Sequence, residues 1–513
     1  MLDLFYTAMK HLIIILITQL SLWGCCRSER SILKSFYKAL DGDKWEHKEN
    51  WLSDKPLNEW YGITTDEEGK VVKIQLSDTM IGKVPANLKH LKRLQYLHLN
   101  CIAGGISLEV NNYPSLKELR LNGYINLSTV KNCPELEKLS LISRYFDVSH
   151  IDGCPKLSSL ELIGHNIFNI IKEELDLNLS SLQNLSELRM QYLPLNKLHI
   201  NNCFNLQRIN ILNCQIEELN LYSCTNLGYL KVLNNNSLHT LNLNNCTKLD
   251  TLNVRGNSIT QLDVSSCKGL RYLSCSFNKL SKLELNNPLL CALHCPLNQL
   301  ETLDISKCRE LEYLYCNQNQ LSILDVSSCK KLKDLDCSEN QITKLELNNP
   351  LLCTLDCLDN KISKLDVDGY EKLENLICSG NNLLELKVDK CEKLKKLYCS
   401  VNKFLDLDLS HNSELIYLEC CCNNLRIINL NKNLETFIFE VSSLKKLDLS
   451  SCTKLERIDI YGSQITAIDI SHLDKLYYFN AYCSSLKTIW VSKNFEPMDM
   501  WFIEDNVVCK VKQ

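Results

Sequence analysis

The chain has 513 residues, more than one compact core usually holds, so it either divides into domains or grows in one dimension by repetition. With 45% apolar and 23% charged residues and only 16 Gly and 10 Pro, it is neither collagen-like nor linker-dominated, and most of it is expected to be ordered. A formal charge of -4 excludes partners held by phosphate neutralisation, nucleic acid first among them.

Residues 1–24 read as a leader. Lys10-His11 precede an apolar run from Leu12 to Leu22, and Leu22-Trp23-Gly24-Cys25 follows, the layout of a secretory signal. The run is too short, and Gln19 too polar, for a membrane span of about 20 residues. Asp3 and the lack of a basic residue among the first eight make Met9 an alternative start. Leu-x-Gly-Cys resembles a bacterial lipobox, in which the signal is cut before the cysteine and that thiol carries a lipid. The resemblance implies export and membrane contact only through a lipid on Cys25. Trp23 departs from the small residue usual at its place, and an ordinary cleaved signal is the alternative. Residues 25–70 follow as linker and N-terminal cap. Ser31 to Leu40 are spaced for an amphipathic helix, Asp41-Gly42-Asp43-Lys44-Trp45 for a turn, and Trp51 and Trp60 complete a tryptophan-rich stretch suited to covering an open end, or alternatively to stacking a sugar.

From residue 71 to 491 the chain repeats. Leu270-x-x-Leu273-x-Cys275-x-x-Asn278-x-Leu280-x-x-Leu283-x-Leu285 returns from Leu290, Leu311, Leu332, Leu352, Leu373, Leu394 and Leu415, and the frame extends upstream to Leu94 and downstream to Leu476. The period is about 21 residues and the number of coils about 20. Alternation places Leu273 and Cys275 inside and Tyr272 and Ser274 outside, as a strand with one buried face requires. A longer interval from Leu157 to Leu185, with Phe168 to Leu179 as the apparent insertion, divides an irregular array (71–184) from a regular one (185–491). Residues 492–513, with Trp501 and Phe502, are expected to form a C-terminal cap.

This repeat resembles the leucine-rich repeat family, and Ile81-Gly82-Lys83-Val84-Pro85 resembles the Gly-x-Ile-Pro turn of its longer subtypes. The resemblance implies a solenoid with a parallel β-sheet on the concave face, short extended or 3₁₀ segments on the convex side, and caps at both ends. The Trp-rich stretch before it is similar to the caps preceding extracellular members. Taken with the leader, the chain resembles bacterial surface leucine-rich-repeat lipoproteins of internalin-like architecture. That implies a non-catalytic scaffold, exported to the cell envelope or surface, which binds a protein or a glycan. An adaptor for the cell's own proteins and a glycan-capture accessory protein are the alternatives.

The 28 cysteines mostly follow the repeat. Eight, from Cys275 to Cys420, share one inward position, and ten, from Cys133 to Cys452, precede a first leucine by three residues. Reduced cysteine at such positions is a small apolar side chain. In Cys420-Cys421-Cys422, alternation turns Cys421 outward as a candidate reactive thiol. Asn257, Asn278, Asn298, Asn319, Asn340, Asn360, Asn381, Asn402 and Asn423 share another register, from which an amide can bond the backbone of its own and the adjacent coil. Acidic residues such as Asp263, Glu284, Asp304 and Asp325 form a ladder on the far side, expected to be a solvated face, with calcium as the weaker alternative. No catalytic motif, metal site or cofactor loop is present in the sequence. The outward positions of the main strands carry the candidate binding residues: Tyr229, Tyr272, Tyr313, Tyr315, Asp334, Asp336, Lys396, Tyr398, Tyr417, Arg457, Tyr461 and Tyr478. Tyrosine offers broad contact area with a hydrogen-bonding tip, and its polar neighbours vary from coil to coil while the core does not.

Overall fold

The computed structural model describes residues 28–143, 150–164, 175–493 and 500–512, so the leader and Cys25 lie outside the described residues. The chain forms two compact units, one ending at Leu227 and the other beginning at Gly228.

In the first unit, the Ser28 hydroxyl caps helix α1 (Glu29–Ala39) by accepting from the Ser31 N–H at 3.2 Å. The helix buries Ile32, Leu33, Phe36 and Tyr37, and its two aromatic rings pack on Trp45 and Trp51. Trp45 Nε1 donates to the Leu40 carbonyl at 3.1 Å and Trp51 Nε1 to that of Tyr61 at 3.0 Å. Trp45, Trp51 and Trp60 are 2%, 7% and 1% exposed, so they are core and present no platform to a sugar. Strand β1 (Ile63–Thr65) pairs antiparallel with β2 (Val71–Lys83) and thereby occupies one edge of β2. On its other side β2 pairs in parallel with β3 (Tyr96–Asn111), and β3 with β4 (Glu118–Lys131). These strands turn a corner at left-handed glycines. At Gly123 (φ 99°) a Cβ would stand 2.0 Å from the Cys101 carbonyl oxygen. Register then carries one inward column, Ile74, Leu97, Leu119, Leu139, Leu160, Leu188 and Ile209, through successive strands. The long interval after Leu157 does not interrupt it, because Ser159–Gly164 still pairs with Glu187–Gln191. Part of the expected insertion belongs to a second ladder, where Leu175–Asn178 pairs with Leu195–His199.

In the second unit each coil gives a main strand of about three residues, all parallel and in register. Leu252, Leu273, Leu293, Leu314, Leu335, Leu355, Leu376, Leu397 and Leu418 form its inward column. The far side consists of short extended pieces, such as Ile323–Asp325 with Lys344–Glu346 and Asp406–Asp408 with Ile427–Asn429. Residues 500–512 add a strand to both ladders: Trp501–Ile503 pairs with Tyr478–Ala481, and Val508–Val511 with Thr488–Val491.

Two polar columns join the coils. The Asn340 amide nitrogen donates to the carbonyls of Cys316 in the preceding coil and Cys337 in its own, both at 3.1 Å, while its oxygen accepts from the Leu321 N–H at 3.0 Å. The same set recurs at Asn278, Asn319, Asn360, Asn381 and Asn402. The second column was not anticipated. Asn287, Asn349 and Asn412 occupy the register that elsewhere holds the cysteine three residues before the first leucine, and each amide donates to two carbonyls of the preceding coil. Between these columns lie the ladder cysteines. Cys275, Cys295, Cys316, Cys337, Cys357, Cys378, Cys399 and Cys420 are fully buried free thiols. Burial pushes the Cys275 thiol up to about 12 and holds its neighbours well above the ordinary thiol range.

Candidate functional site

The outward face of the second unit's main sheet has two columns, one residue before and one after each inward leucine. Eleven of the twelve predicted residues stand on it. Tyr229, Tyr272, Tyr313, Asp334, Lys396, Tyr417, Arg457 and Tyr478 lie in the first column, and Tyr315, Asp336 and Tyr398 in the second. Tyr461 does not. Its strand ends at Asp459, and the exposed ring lies in the turn beyond, stacked 6.4 Å from Tyr482. The expectation for the cysteine triplet is corrected for the same reason. Cys421 is buried and its sulfur accepts from the Glu440 N–H at 3.2 Å, while Cys422, at φ 51°, is the exposed thiol.

The register gathers the face into clusters. Tyr272, His294 and Tyr315 form an aromatic run with centroid spacings of 5.2 and 4.7 Å. The Tyr315 hydroxyl donates to Asp334 at 2.9 Å, and burial together with that carboxylate pushes the phenol up to about 12. Beside this run the face is acidic. Asp336 lies directly opposite Asp356 on the next strand, a like-charge pairing that a sheet disfavours. Burial, with Asp336, Asp334 and Glu339 nearby, raises the Asp356 carboxyl to about 6. Asp336 accepts from the Ser338 N–H and hydroxyl, and Asp356 from the Leu358 N–H. Among the described residues, none of Asp334, Asp336 and Asp356 forms an ion pair. Elsewhere on the same coils the charges are matched: Lys331 with Glu310 at 2.5 Å, Lys333 with Glu312 at 2.6 Å and Lys395 with Glu374 at 2.9 Å.

A second cluster lies further along. Tyr398 and Tyr417 pack at 4.8 Å, and the Tyr417 and Ser400 hydroxyls donate to Glu419 at 3.3 and 3.2 Å. The Arg457 guanidinium sits 4.1 Å over the Tyr478 ring and 3.8 Å from Asp459, which also accepts from the Tyr478 hydroxyl at 3.3 Å. Lys396 is exposed at the rim of this cluster. His294, Asp356, Glu419 and Asp459 were missed in the sequence. They occupy the second outward column, and only their register with the tyrosines singles them out.

The acidic ladder on the far side has a local explanation. Asp263, Asp304, Asp325, Asp408, Asp448 and Asp469 each accept from the N–H two residues on, at 2.8 to 3.0 Å. These are Asx turns that shape the coil, and in the first five the bonds to the following Ser hold the carboxyl below its ordinary range. Glu284 and Glu346 pair instead with Lys282 and Lys344, at 2.5 and 2.6 Å. Among the described residues no group of three or more His, Cys, Asp or Glu is arranged to hold a metal ion.

A family model for leucine-rich repeats (two copies) matches residues 309–349. The functional domain of InlJ from Listeria monocytogenes, described as including a cysteine ladder, is 32% identical; the alignment covers 57% of this chain and 71% of that one, with a TM-score of 0.48. YopM from Yersinia enterocolitica WA-314 is 18% identical over 86% of this chain and 90% of its own, with a TM-score of 0.50. The LRIM1/APL1C complex gives 17% identity, 60% and 65% coverage and a TM-score of 0.51. The last two likenesses show the fold. No curated protein sequence matches the chain.

Proposed function

The chain belongs to the leucine-rich repeat family, whose members are generally non-catalytic scaffolds that mediate protein–protein interaction, and from that premise we propose that it is an exported, surface-held binding protein which takes a protein partner on the outward face of the second unit's main sheet. The observation that carries this reading is the contrast within each coil. The inward leucine, cysteine and asparagine repeat almost unchanged, whereas the outward columns vary along the array and collect half-buried tyrosines and unpaired carboxylates. A face built only for solubility would carry charges matched as they are at Lys331 and Lys333. Protein is favoured over glycan because the three N-terminal tryptophans are buried. The lipobox-like Leu22-Trp23-Gly24-Cys25 supports tethering through a lipid on Cys25.

Two experiments test the two halves. The chain without its leader is presented to host-surface proteins, a glycan array and the cell's own envelope proteins, and the partner it retains is titrated against Tyr313→Ala/Tyr315→Ala/Tyr398→Ala. At least a tenfold loss of affinity with an unchanged melting temperature is expected, since truncated interface aromatics typically cost about 2 kcal/mol or more. Unchanged affinity removes the sheet face. For the tether, metabolic labelling with a radioactive fatty acid is expected to depend on Cys25, and labelling that survives Cys25→Ala removes the anchor.

A further inference from the structure

Beyond the strand ends, one register position is left-handed in each coil from the one holding Asn234 to the one holding Gly462. Gly256, Gly380 and Gly462 hold it at φ 72°, 66° and 66°, as expected of glycine, and Gln318, Glu339 and Asp359 hold it with polar side chains. Phe277 and Leu297 hold it with large apolar side chains, but Val401 (φ 55°) and Val441 (φ 48°) fit it least, because a β-branched residue is among the poorest fits to this conformation. The fold gains no buried surface in return: Val401 is 56% exposed and Val441 54%. With the exposed Cys422 between them, and with Tyr461 and Tyr482, one position earlier in their coils, stacked beyond at 47% and 53% exposure, they form an apolar strip across five successive coils. At the 4.8 Å spacing of neighbouring strands the strip is about 19 Å long, the span of about six extended residues.

The strip is bordered by Glu419, Glu440 and Asp459. Glu419 and Asp459 lie on strands either side of Ile438, and Glu440 follows Ile438 by two residues. Burial and the repulsion of Asp459 and Glu419 raise the Glu440 carboxyl, and Arg457, engaged with Asp459 and Tyr478, opposes it only in part.

We propose that this strip and its acidic border form a docking surface for a short polypeptide segment in which apolar side chains are interspersed with Lys or Arg. The apolar groups cover Val401, Val441 and the tyrosine pair, and the cations answer Glu419 and Glu440, Asp459 being buried and paired with Arg457. The proposal rests on the reading of the chain as a protein-binding scaffold but uses other residues than Tyr313 and Tyr315, so the two fail separately.

The test uses residues 28–513, in a Cys509→Ser background, and three synthetic twelve-residue peptides: one alternating Lys and Leu, one alternating Glu and Leu, and one alternating Lys and Ser. Fluorescence anisotropy is expected to show binding of the Lys-Leu peptide at least tenfold tighter than either control. Val401→Asn/Val441→Asn, which suits a left-handed backbone, is expected to weaken that binding at least tenfold without lowering the melting temperature, and Glu419→Gln/Glu440→Gln to weaken it several-fold. A bulky maleimide on Cys422 is expected to block it. The proposal is overturned if the Lys-Leu peptide does not bind, if either control binds as well, if the Asn variant binds unchanged, or if that variant melts lower, which would make the valines structural. Loss of binding in Tyr313→Ala/Tyr315→Ala would overturn it while leaving the sheet-face function standing. So would binding that tracks self-association of the chain.

Discussion

Asn340→Ala gives the sharpest test of how the coils are joined, because the hydrogen-bond partners of the neighbouring groups identify what the mutation orphans. The carbonyl of Cys316 accepts from Asn340 at 3.1 Å and also from Asn319 at 3.0 Å, and that of Cys337 accepts from Asn340 at 3.1 Å and from Asn360 at 3.0 Å. Each carbonyl therefore keeps a partner when Asn340 is truncated. The Leu321 N–H has only the Asn340 oxygen, at 3.0 Å, and would be left buried and unpaired. An orphaned buried donor costs about 1 to 3 kcal/mol and each shared bond lost adds about 0.5 kcal/mol, so the expected destabilisation is about 3 kcal/mol. Coils contact only their neighbours, so the loss should concentrate at the junction of the coils carrying Asn319 and Asn340. Urea denaturation gives the total, and hydrogen exchange of the Leu321 amide gives the place. Asn348→Ala, on an exposed side chain three residues before Leu351-Leu352, should change stability by less than about 0.5 kcal/mol. The reasoning is refuted if Asn340→Ala costs less than about 1 kcal/mol, or if Leu321 exchanges no faster than amides several coils away.

Three further outcomes follow from the same geometry. Because the folded-state value of Asp356, about 6, lies above its unfolded one, its stability contribution is full at low pH and is lost as pH rises through 6. Asp356→Asn should therefore stabilise the chain by about 1 to 2 kcal/mol at pH 8, after discounting for solvent screening, and by little near pH 4, and equal effects at both would refute this. In thiol titration of residues 28–513 under native conditions, Cys422 and Cys509 should react first and the buried ladder from Cys275 to Cys420 only on unfolding; early modification of the ladder would contradict its packing. Gly123→Ala, with a Cβ forced to 2.0 Å from the Cys101 carbonyl at φ 99°, should lower stability by at least about 2 kcal/mol in a melting experiment, and a neutral result would mean that the corner is not needed.

The repeat was legible because each of its residues does one local job every 21 positions. The leucine and cysteine columns follow from alternation, and the asparagine register follows from the need to pair backbone groups at a turn. What could not be read depended on where alternation stops. A period of two assigns Cys421 and Tyr461 to the outward face only if the strand continues, and the chain instead enters a left-handed turn at Cys422 and leaves its strand after Asp459. The second asparagine column was hidden because Asn287, Asn349 and Asn412 replace cysteine in a register already explained by apolar packing. Only the partners of their amides, two carbonyls of the preceding coil, separate the two roles.

The same limit governs the candidate site. Tyrosines at outward positions are visible one at a time, but His294 matters because it stands between Tyr272 and Tyr315, and Asp356 because register sets it against Asp336. Both are cross-coil relations between residues about 20 positions apart. The acidic residues make the point most clearly, since composition cannot rank them. Asp263 and Asp304 are spent on Asx turns, Glu310 and Glu312 on lysine pairs; Asp336 and Asp356 also accept from the N–H two residues on but stand against each other with no lysine between them, and Asp334 bonds the Tyr315 hydroxyl, although all are carboxylates of one repeating coil. A carboxylate that only shapes its turn is accounted for by the fold, and one already paired with lysine has little left to offer. The group held against its own kind on a half-buried sheet costs stability in the isolated chain, and a cationic partner would relieve that cost. The outward face of the second unit is therefore distinguished by what its charges lack, and it is on that face that the aromatic clusters also lie.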